Sequence, residues 1–190
     1  MRDRDVWQSG APFGDGFTYA VITPIAKFVD FDQPPLLVRT LGAEAARAYN
    51  EKLRKMIVST RTYAMQDRAE LSIPPAPNAK IIGGVLTETT IVSGHAAQYE
   101  AYIKDELMPT LKKGNVTGFF VGRTIFGGDA NVYTTVQLFD SFGEIDKGPA
   151  ATRVLGAAGA QAMAAKATPH IAAVNRTLIR YVPDLSFHEK

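Results

Sequence analysis

The sequence predicts an α+β protein made of two related β-α-β-β-α-β units, the first of which is incomplete. Residues 14–73 align without a gap with residues 128–187, and 16 of the 60 aligned positions are identical. Unrelated segments of that length would share about 4 identities at typical residue frequencies. A proline-rich linker, residues 74–78, separates the copies. We therefore predict two domains, residues 1–75 and 76–190.

The first copy carries only the last four elements of the unit. Residues 6–11 and 17–25 are predicted strands joined by a glycine-containing turn at 13–16, because β-branched and aromatic residues dominate them. Residues 36–57 keep apolar side chains at approximately helical spacing. Residues 59–73 return to extended character.

Two features at the start of this helix recur in the second copy. Asp32 and Asp146 are expected to cap their helices, because an acid followed by proline is typical of a helix start. Gly42 costs about 1 kcal/mol relative to alanine within a helix, so we expect close packing or a bend there. Its counterpart in the second copy is Gly156.

The second copy carries the complete pattern of a ferredoxin-like unit. Its helices are expected at residues 95–113, where Pro109 predicts a bend in the last turn, and at residues 149–168. The predicted strands are residues 81–92, 116–126, 132–139 and 177–182.

The first copy would need some 40 further residues before Trp7 to hold the missing strand and helix, whose strand lies centrally in this topology. We expect either that the chain is a shortened form of a longer protein or that the gap is filled. A rearranged strand or a partner chain, as in a homo-oligomer, would fill it.

Composition excludes several classes of protein. The 46% hydrophobic and 21% charged residues indicate an ordered globular chain. A net charge of +2, with scattered basic residues, argues against a nucleic-acid or anionic-membrane partner. No apolar run approaches the roughly 18 residues of a membrane span, and no signal peptide is visible, so a cytoplasmic location is the default expectation. Cysteine is absent, which excludes disulfides and thiolate metal sites.

The pattern resembles the dimeric α+β barrel superfamily, which includes antibiotic-biosynthesis-monooxygenase-like, stress-responsive barrel and NIPSNAP-like domains. Residues 94–102, the hairpin at 127–129 and residues 136–142 carry the resemblance. It implies that tandem ferredoxin-like (βαββαβ) units form an α+β barrel, either between chains or within one. Activities in the superfamily range from cofactor-independent oxygenation of polycyclic phenols and haem chemistry to structural roles.

A ligand site is predicted inside that barrel. Residues 132, 134, 136 and 138 suit the helix-covered face, so Tyr133 and Gln137 would point into the barrel. Arg123 on the neighbouring strand and Tyr19, the counterpart of Tyr133, would join them. Aromatic and polar groups of this kind suit a small-molecule pocket. The alternative is that these polar groups reach solvent at the rim or bond one another in a filled core.

The three histidines suggest little chemistry. His95 and His188 are expected to be exposed, and His170, opposite Met56 in the repeat, lies at a helix end where a positive charge is favourable. The resemblance also allows His170 to be an axial haem ligand. No spacing indicates a zinc site or a Ser-His-Asp triad.

No catalytic motif is present, so the sequence leaves open whether the protein is an enzyme. The favoured hypothesis is a barrel protein that binds a small apolar or aromatic molecule without a cofactor, with Tyr133, Gln137, Arg123, Tyr19 and His170 as candidate contacts. The alternatives are a cofactor-independent or haem-dependent monooxygenase, and a structural or assembly protein without a ligand.

Overall fold

The structure is a computed structural model, and it describes residues 4–9 and 17–187. These residues fall into two compact units. One comprises the chain up to Ile22 and from Tyr63 onward, and the other comprises Thr23–Thr62. The predicted turn at residues 13–16 and His188 lie outside the described residues.

A seven-stranded antiparallel sheet, curled into a half-barrel, forms the larger unit and confirms the predicted α+β class. Its order is β2-β1-β7-β4-β6-β5-β3. The strands are β1 (Asp5–Ser9), β2 (Thr18–Ile22), β3 (Ala64–Asp67), β4 (Gly83–Ile91), β5 (Gly118–Phe126), β6 (Val132–Phe139) and β7 (Ile171–Tyr181).

Helices flank the sheet in the second half and form the smaller unit in the first. The α-helices are α1 (Leu36–Leu41), α2 (Ala43–Arg54), α3 (Ala96–Tyr102), α4 (Met108–Lys113), α5 (Gly143–Asp146) and α6 (Ala150–Ala167). Short 3-10 turns lie at Phe28–Asp32, Ala69–Leu71, Thr168–His170 and Pro183–Leu185.

The second half has the predicted ferredoxin-like arrangement. Its four strands stand in the order β7-β4-β6-β5, with α3–α4 and α6 as the crossovers. The final strand is longer than the predicted residues 177–182, because β7 pairs with β4 along almost its whole length. In the first half, only Ala64–Asp67 of the predicted extended segment 59–73 forms a strand.

A π-helical turn, Ile103–Leu107, joins α3 to α4. The Met108 amide donates to the Ile103 carbonyl, five residues back. Pro109 follows directly and has no amide hydrogen to donate, so it cannot continue the regular ladder. Near the bend predicted from Pro109 the structure has this π turn, which ends at Leu107, two residues before the proline.

Gly42 and Gly156 bend their helices in the same way. Their φ/ψ angles are 80°/161° and 72°/171°, a region that only glycine adopts readily. No atom lies within 4 Å of a Cβ built on either residue. Of the two explanations expected for Gly42, the bend is therefore the one observed. Its backbone conformation requires glycine, and close packing does not.

The predicted capping role of Asp32 and Asp146 is wrong. Pro35 and Pro149 occupy the N-cap positions of α1 and α6, and neither has a side chain that can accept a hydrogen bond. Asp32 instead ends a 3-10 turn and Asp146 ends α5.

Gly83 and Gly84 allow β4 to lie close to both neighbouring strands. A Cβ on Gly83 would lie 2.6 Å from the Ile179 carbonyl oxygen, and one on Gly84 2.6 Å from that of Gln137. Because backbone atoms cannot yield as side chains do, larger residues would force the strands apart. Close packing therefore explains the glycine pair.

Ser72 and Ser186, which are aligned in the repeat, each tie a 3-10 turn to a strand. Ser72 Oγ donates to the Arg68 carbonyl at 2.9 Å and accepts from the Val121 amide at 3.0 Å. Ser186 Oγ makes the same two bonds, to the Val182 carbonyl at 2.9 Å and from the Val6 amide at 3.0 Å. Both halves thus end by docking on the sheet.

Apolar side chains pack on both faces of the sheet. On the helix-covered face, residues of α3, α4 and the π turn pack against strand residues such as Phe119, Val121 and Tyr133. On the other face, which we call the inner face, Trp7, Leu138 and Ile179 form a second cluster. The two clusters establish which side chains of each strand face the helices.

Candidate functional site

Tyr133 faces the helices, so the predicted orientation of β6 is wrong. The Tyr133 ring is fully buried and lies 5.2 Å from the Tyr99 ring of α3, edge to face. The alternate residues Val136 and Leu138 pack in the inner cluster instead. Because strand side chains alternate, Tyr133 and Gln137 point toward the helices and Thr134 toward the inner face.

A charged cluster surrounds the Tyr133 hydroxyl. Tyr133 donates to Glu100 Oε1 at 2.5 Å, and Arg68 binds both oxygens of the same carboxylate, with 2.7 Å from Nη2 to Oε2. Arg68 also donates from Nε to Glu70 at 2.6 Å. The side chains of Arg68 and Glu100 are each only 20% exposed, so the pair is largely shielded from water. We call Arg68, Glu100 and Tyr133 the Glu100 cluster.

Burial is the main cause that raises the pKa of Tyr133 to about 12, and the Glu100 carboxylate adds to it through its hydrogen bond and its charge. For Arg68, the hydrogen bond to Glu70 is the largest cause that raises its pKa. Tyr133 therefore stays neutral, as a donor, at any physiological pH.

Of the predicted contacts, Arg123 alone is brought close to Tyr133. Its guanidinium carbon lies 5.7 Å from the centre of the Tyr133 ring, and Nε donates to the Ala130 carbonyl at 3.2 Å. Gln137 shares their face of the sheet but pairs with Phe119 and Val85, further along the strands. Tyr19 is 49% exposed and alternates with the inner residue Ala20.

His170 lies apart from these residues and pairs with His95. Their Nδ1 atoms are 3.0 Å apart and their rings meet edge to face at 5.1 Å. Both side chains are half-buried, so the expectation that His95 is exposed is wrong. The bond requires one imidazole to be a neutral acceptor, which leaves the Nε2 atoms as the remaining polar positions.

The inner face carries a different set of polar and apolar residues, which the sequence does not predict. Its wall is apolar: Leu86, Val136, Leu138 and Ile179 lie on the central strands. Trp7 and Tyr181 extend it, with ring centres 5.0 Å apart. This is the apolar lining that small-ligand sites favour.

A row of polar residues crosses that apolar wall. The strand registers place Gly122 opposite Thr134, Thr134 opposite Glu88, and Glu88 opposite Asn175. Asn175 Nδ2 donates to Glu88 Oε2 at 3.4 Å, a long bond. We call Thr134, Glu88 and Asn175 the polar row.

Thr134 is the unusual member of the row. It is 5% exposed, and its hydroxyl has no hydrogen-bond partner, the one such buried side-chain atom found in the described part of the chain. An unsatisfied buried hydroxyl costs about 1–3 kcal/mol. Gly122 beside it contributes no side chain. The row therefore places a carboxylate acceptor, an amide donor and a buried, unused hydroxyl on adjacent strands, with the Met65 side chain next to Gly122.

Other features carry less chemistry. A hollow of about 340 Å³ lies on the smaller unit, lined by Val38, Ala43, Ala46, Arg47, Asn50, Glu51 and Arg54. Within residues 4–9 and 17–187, no three His, Asp or Glu side chains gather as metal ligands would. No helix within those residues is long and apolar enough to cross a bilayer.

The sequence contains one weak signal for the polar row. Glu88 is the single charged residue of β4, between Thr87 and Thr89. A lone acid in an otherwise uncharged strand is a candidate for a special role. Asn175 lies 87 positions away, and only the register joins the two.

The fold is similar to that of three solved structures. The first is an anthrone oxidase-like protein, with a TM-score of 0.65 and 9% sequence identity, and the match covers 95% of this chain and 76% of that one. The second is a candidate monooxygenase from Lactobacillus acidophilus NCFM, with a TM-score of 0.60 and 9% identity, and the match covers 95% of this chain and 77% of that one. The third is a candidate monooxygenase from Fusobacterium nucleatum subsp. nucleatum, with a TM-score of 0.58 and 8% identity, and the match covers 100% of this chain and 83% of that one. No protein-family model and no curated protein matches the sequence. At these identities the likeness shows the fold alone: the chain has an α+β half-barrel like those of the three structures.

Proposed function

We propose that the inner face of the sheet binds a small, largely apolar or aromatic molecule, with the polar row as its hydrogen-bonding anchor. The unpartnered Thr134 hydroxyl carries this proposal, because a buried donor without a partner is costly unless a ligand satisfies it. The surrounding wall of Trp7, Leu86 and Leu138 supplies apolar contact.

The donors and acceptors of the row define what such a ligand carries. Glu88 accepts a hydrogen bond from a ligand hydroxyl or N–H group, while Thr134 and Asn175 can donate to a ligand oxygen. Several fused or linked rings would cover the apolar wall. A polycyclic phenol that also carries a carbonyl group meets both requirements.

Calorimetric titration with 1,8-dihydroxyanthrone and simpler phenols tests this proposal. Glu88→Gln and Thr134→Val should each weaken binding about 5- to 30-fold, as expected for one lost hydrogen bond of about 1–2 kcal/mol. The sequence-based alternative places Tyr133, Gln137, Arg123, Tyr19 and His170 at the ligand. Gln137→Leu separates the two, since it should leave affinity unchanged if the ligand lies on the inner face.

A second candidate function is cofactor-independent oxygenation. Glu88 is a carboxylate on an apolar face, where a ligand C–H or O–H group next to it can lose a proton to it. The resulting carbanion is electron-rich and reacts with O₂, so that a CH₂ group and O₂ give C=O and H₂O. The names of the similar structures favour examining this reaction.

Oxygen uptake with anthrones, compared between the native protein and Glu88→Gln, tests the enzymatic candidate. Uptake that disappears in the variant supports oxygenation, whereas binding without uptake indicates a binding protein.

Haem dependence is tested by titrating haem and following the Soret band in the native protein and in His170→Ala. Absence of binding by every probe would favour the structural or assembly role.

A further inference from the structure

Two histidines from distant parts of the chain meet in a pair that belongs to neither the polar row nor the Glu100 cluster. His95 occupies the N-cap position of α3, and His170 ends the 3-10 turn that precedes β7. Their Nδ1 atoms lie 3.0 Å apart. Because imidazole nitrogen is the commonest protein ligand for transition metals, the pair is a candidate metal site.

Backbone hydrogen bonds through Val92 fix the chain on both sides of the pair. The Val92 amide donates to the His170 carbonyl at 3.0 Å, and the His95 amide donates to the Val92 carbonyl at 3.0 Å. The His95 carbonyl in turn accepts from the Tyr99 amide at 3.0 Å. The two imidazoles are therefore already held together, so binding an ion between them costs little conformational entropy.

Water can reach the pair. Both histidines are half-buried, whereas Val92, Ser93 and Gly94, which lead from β4 to His95, are exposed. Within residues 4–9 and 17–187, no third His, Asp or Glu side chain joins them as a ligand. An ion held by the two imidazoles would therefore take its remaining ligands from solvent.

The separation of the two nitrogens indicates which ion suits the pair. With metal–nitrogen bonds of about 2.0–2.1 Å, atoms 3.0 Å apart subtend an angle of about 91–97° at the metal. A tetrahedral zinc site has angles of about 109°, which correspond to a separation of about 3.3–3.4 Å. Neighbouring ligands in a tetragonal Cu²⁺ site are about 90° apart, and Cu²⁺ binds nitrogen ligands most tightly among the divalent first-row ions.

We propose that His95 and His170 together bind one Cu²⁺ ion through their Nδ1 atoms, as neighbouring ligands. Binding replaces the hydrogen bond between the rings. One neutral imidazole exchanges its proton on Nδ1 for one on Nε2, which frees both Nδ1 lone pairs, and the rings turn about their Cβ–Cγ bonds to face the ion. The ion then ties the start of α3 to the start of β7, across 75 positions of the chain.

Titration of the native protein with Cu²⁺ alone, followed by NMR and EPR spectroscopy, tests the site without any substitution. We expect the first equivalent of this paramagnetic ion to broaden the amide signals of residues 92–97 and 168–172 before all others. The EPR spectrum should show superhyperfine splitting from two nitrogen nuclei. Initial broadening elsewhere in the chain, or splitting from a single nitrogen, overturns the proposal.

His95→Asn and His170→Asn provide a quantitative test by calorimetric titration with Cu²⁺, with glycine as a competing ligand. The Asn amide can replace the hydrogen bond at Nδ1 but is a poor ligand for Cu²⁺. Affinity should fall at least about 100-fold in each variant, since losing only an outer-shell partner of a ligand costs about 10- to 100-fold. His188→Asn, at the third histidine of the chain, is the matched control and should leave affinity unchanged.

Equal affinity in the native protein and the first two variants would identify adventitious binding elsewhere and overturn the proposal. If either variant fails to fold, the NMR and EPR spectra of the native protein decide the question. No aromatic ligand is present in these measurements, so their failure leaves the ligand proposal for the inner face standing.

Discussion

The Tyr133 hydroxyl donates to Glu100 Oε1 at 2.5 Å, and the same carboxylate holds Arg68. Three elements meet at this point: strand β6, helix α3 and the turn after β3. The cluster therefore fastens the β3 edge of the sheet to the helix that covers it. Its contribution to stability is open to direct measurement.

Glu100→Gln should lower the free energy of unfolding by about 2 kcal/mol, because Arg68 keeps its charge in a largely shielded place and loses its bidentate partner. Urea denaturation measures the change. Glu51→Gln is the matched control, since it removes an exposed pair with Arg47 and should cost under about 0.5 kcal/mol. Equal effects of the two variants would contradict a stabilising role for the cluster.

Stability should fall at high pH because of Tyr133. Its pKa is about 12 in the folded protein, against about 10 for an ordinary tyrosine, so the folded state holds the proton more tightly. The stabilisation is complete below pH 10 and is lost as the pH rises toward 12, by at most about 2–3 kcal/mol. Tyr133→Phe should flatten this loss between pH 10 and 12. Parallel curves for the variant and the native protein would refute the assignment.

Thr134→Val should stabilise the protein without ligand by about 1 kcal/mol. The substitution keeps the shape and removes a buried hydroxyl that has no partner. Thr110→Val is the matched control at similar burial, because the Thr110 hydroxyl bonds the Glu106 carbonyl at 2.9 Å. That variant should lose about 1 kcal/mol. Thermal unfolding compares the two, and a loss in both would mean that Thr134 is partnered.

Gly156→Ala should destabilise the protein by about 1–3 kcal/mol, opposite to the usual gain from alanine within a helix. The cost is conformational, since φ is 72° and a Cβ would meet no atom within 4 Å. Gly42→Ala should behave alike, with φ at 80°. Chemical denaturation of both variants provides the measurement. A gain in stability would show that the bends are not required.

Ser72→Ala and Ser186→Ala should each cost about 1–2 kcal/mol, because each removes one donor and one acceptor from a strand-docking turn. The two sites belong to different turns, so the double variant should show the sum of the single effects. Ser141→Ala, which loses a single exposed bond, is the control. A double variant that costs no more than either single one would indicate coupling between the two turns.

The sequence predicted the fold better than the site, for physical reasons. Strand and helix periodicity and turn-forming glycines are local signals, so the β-α-β-β-α-β order of residues 81–182 could be identified. Gly42 is a local signal as well, and its bend was among the expected explanations.

Which face of β6 the helices cover could not be predicted from the residues of the strand itself. Both alternating sets carry apolar and polar side chains, Val136 and Leu138 on one face and Tyr133 and Phe139 on the other. Their distribution does not indicate which face the helices cover. The deciding partner of Tyr133 is Glu100, 33 positions away on a helix.

The pairings that shape the candidate sites are equally distant. His95 meets His170 across 75 positions, and Glu88 meets Asn175 across 87. Such contacts follow from the strand register and from the packing of helix ends, neither of which residue spacing alone determines. The polar row could therefore not be predicted as a unit.

Trp7 gives the protein a built-in optical reporter. It is the single tryptophan of the chain, and it lies on the inner face against Tyr181, where β1 joins β7. Its emission therefore senses whether the first half of the chain is attached to the second and whether an aromatic guest has arrived beside it. Detachment would shift the emission to longer wavelength, whereas a stacked guest would quench it. A single spectrum thus separates loss of structure from occupancy, without any label.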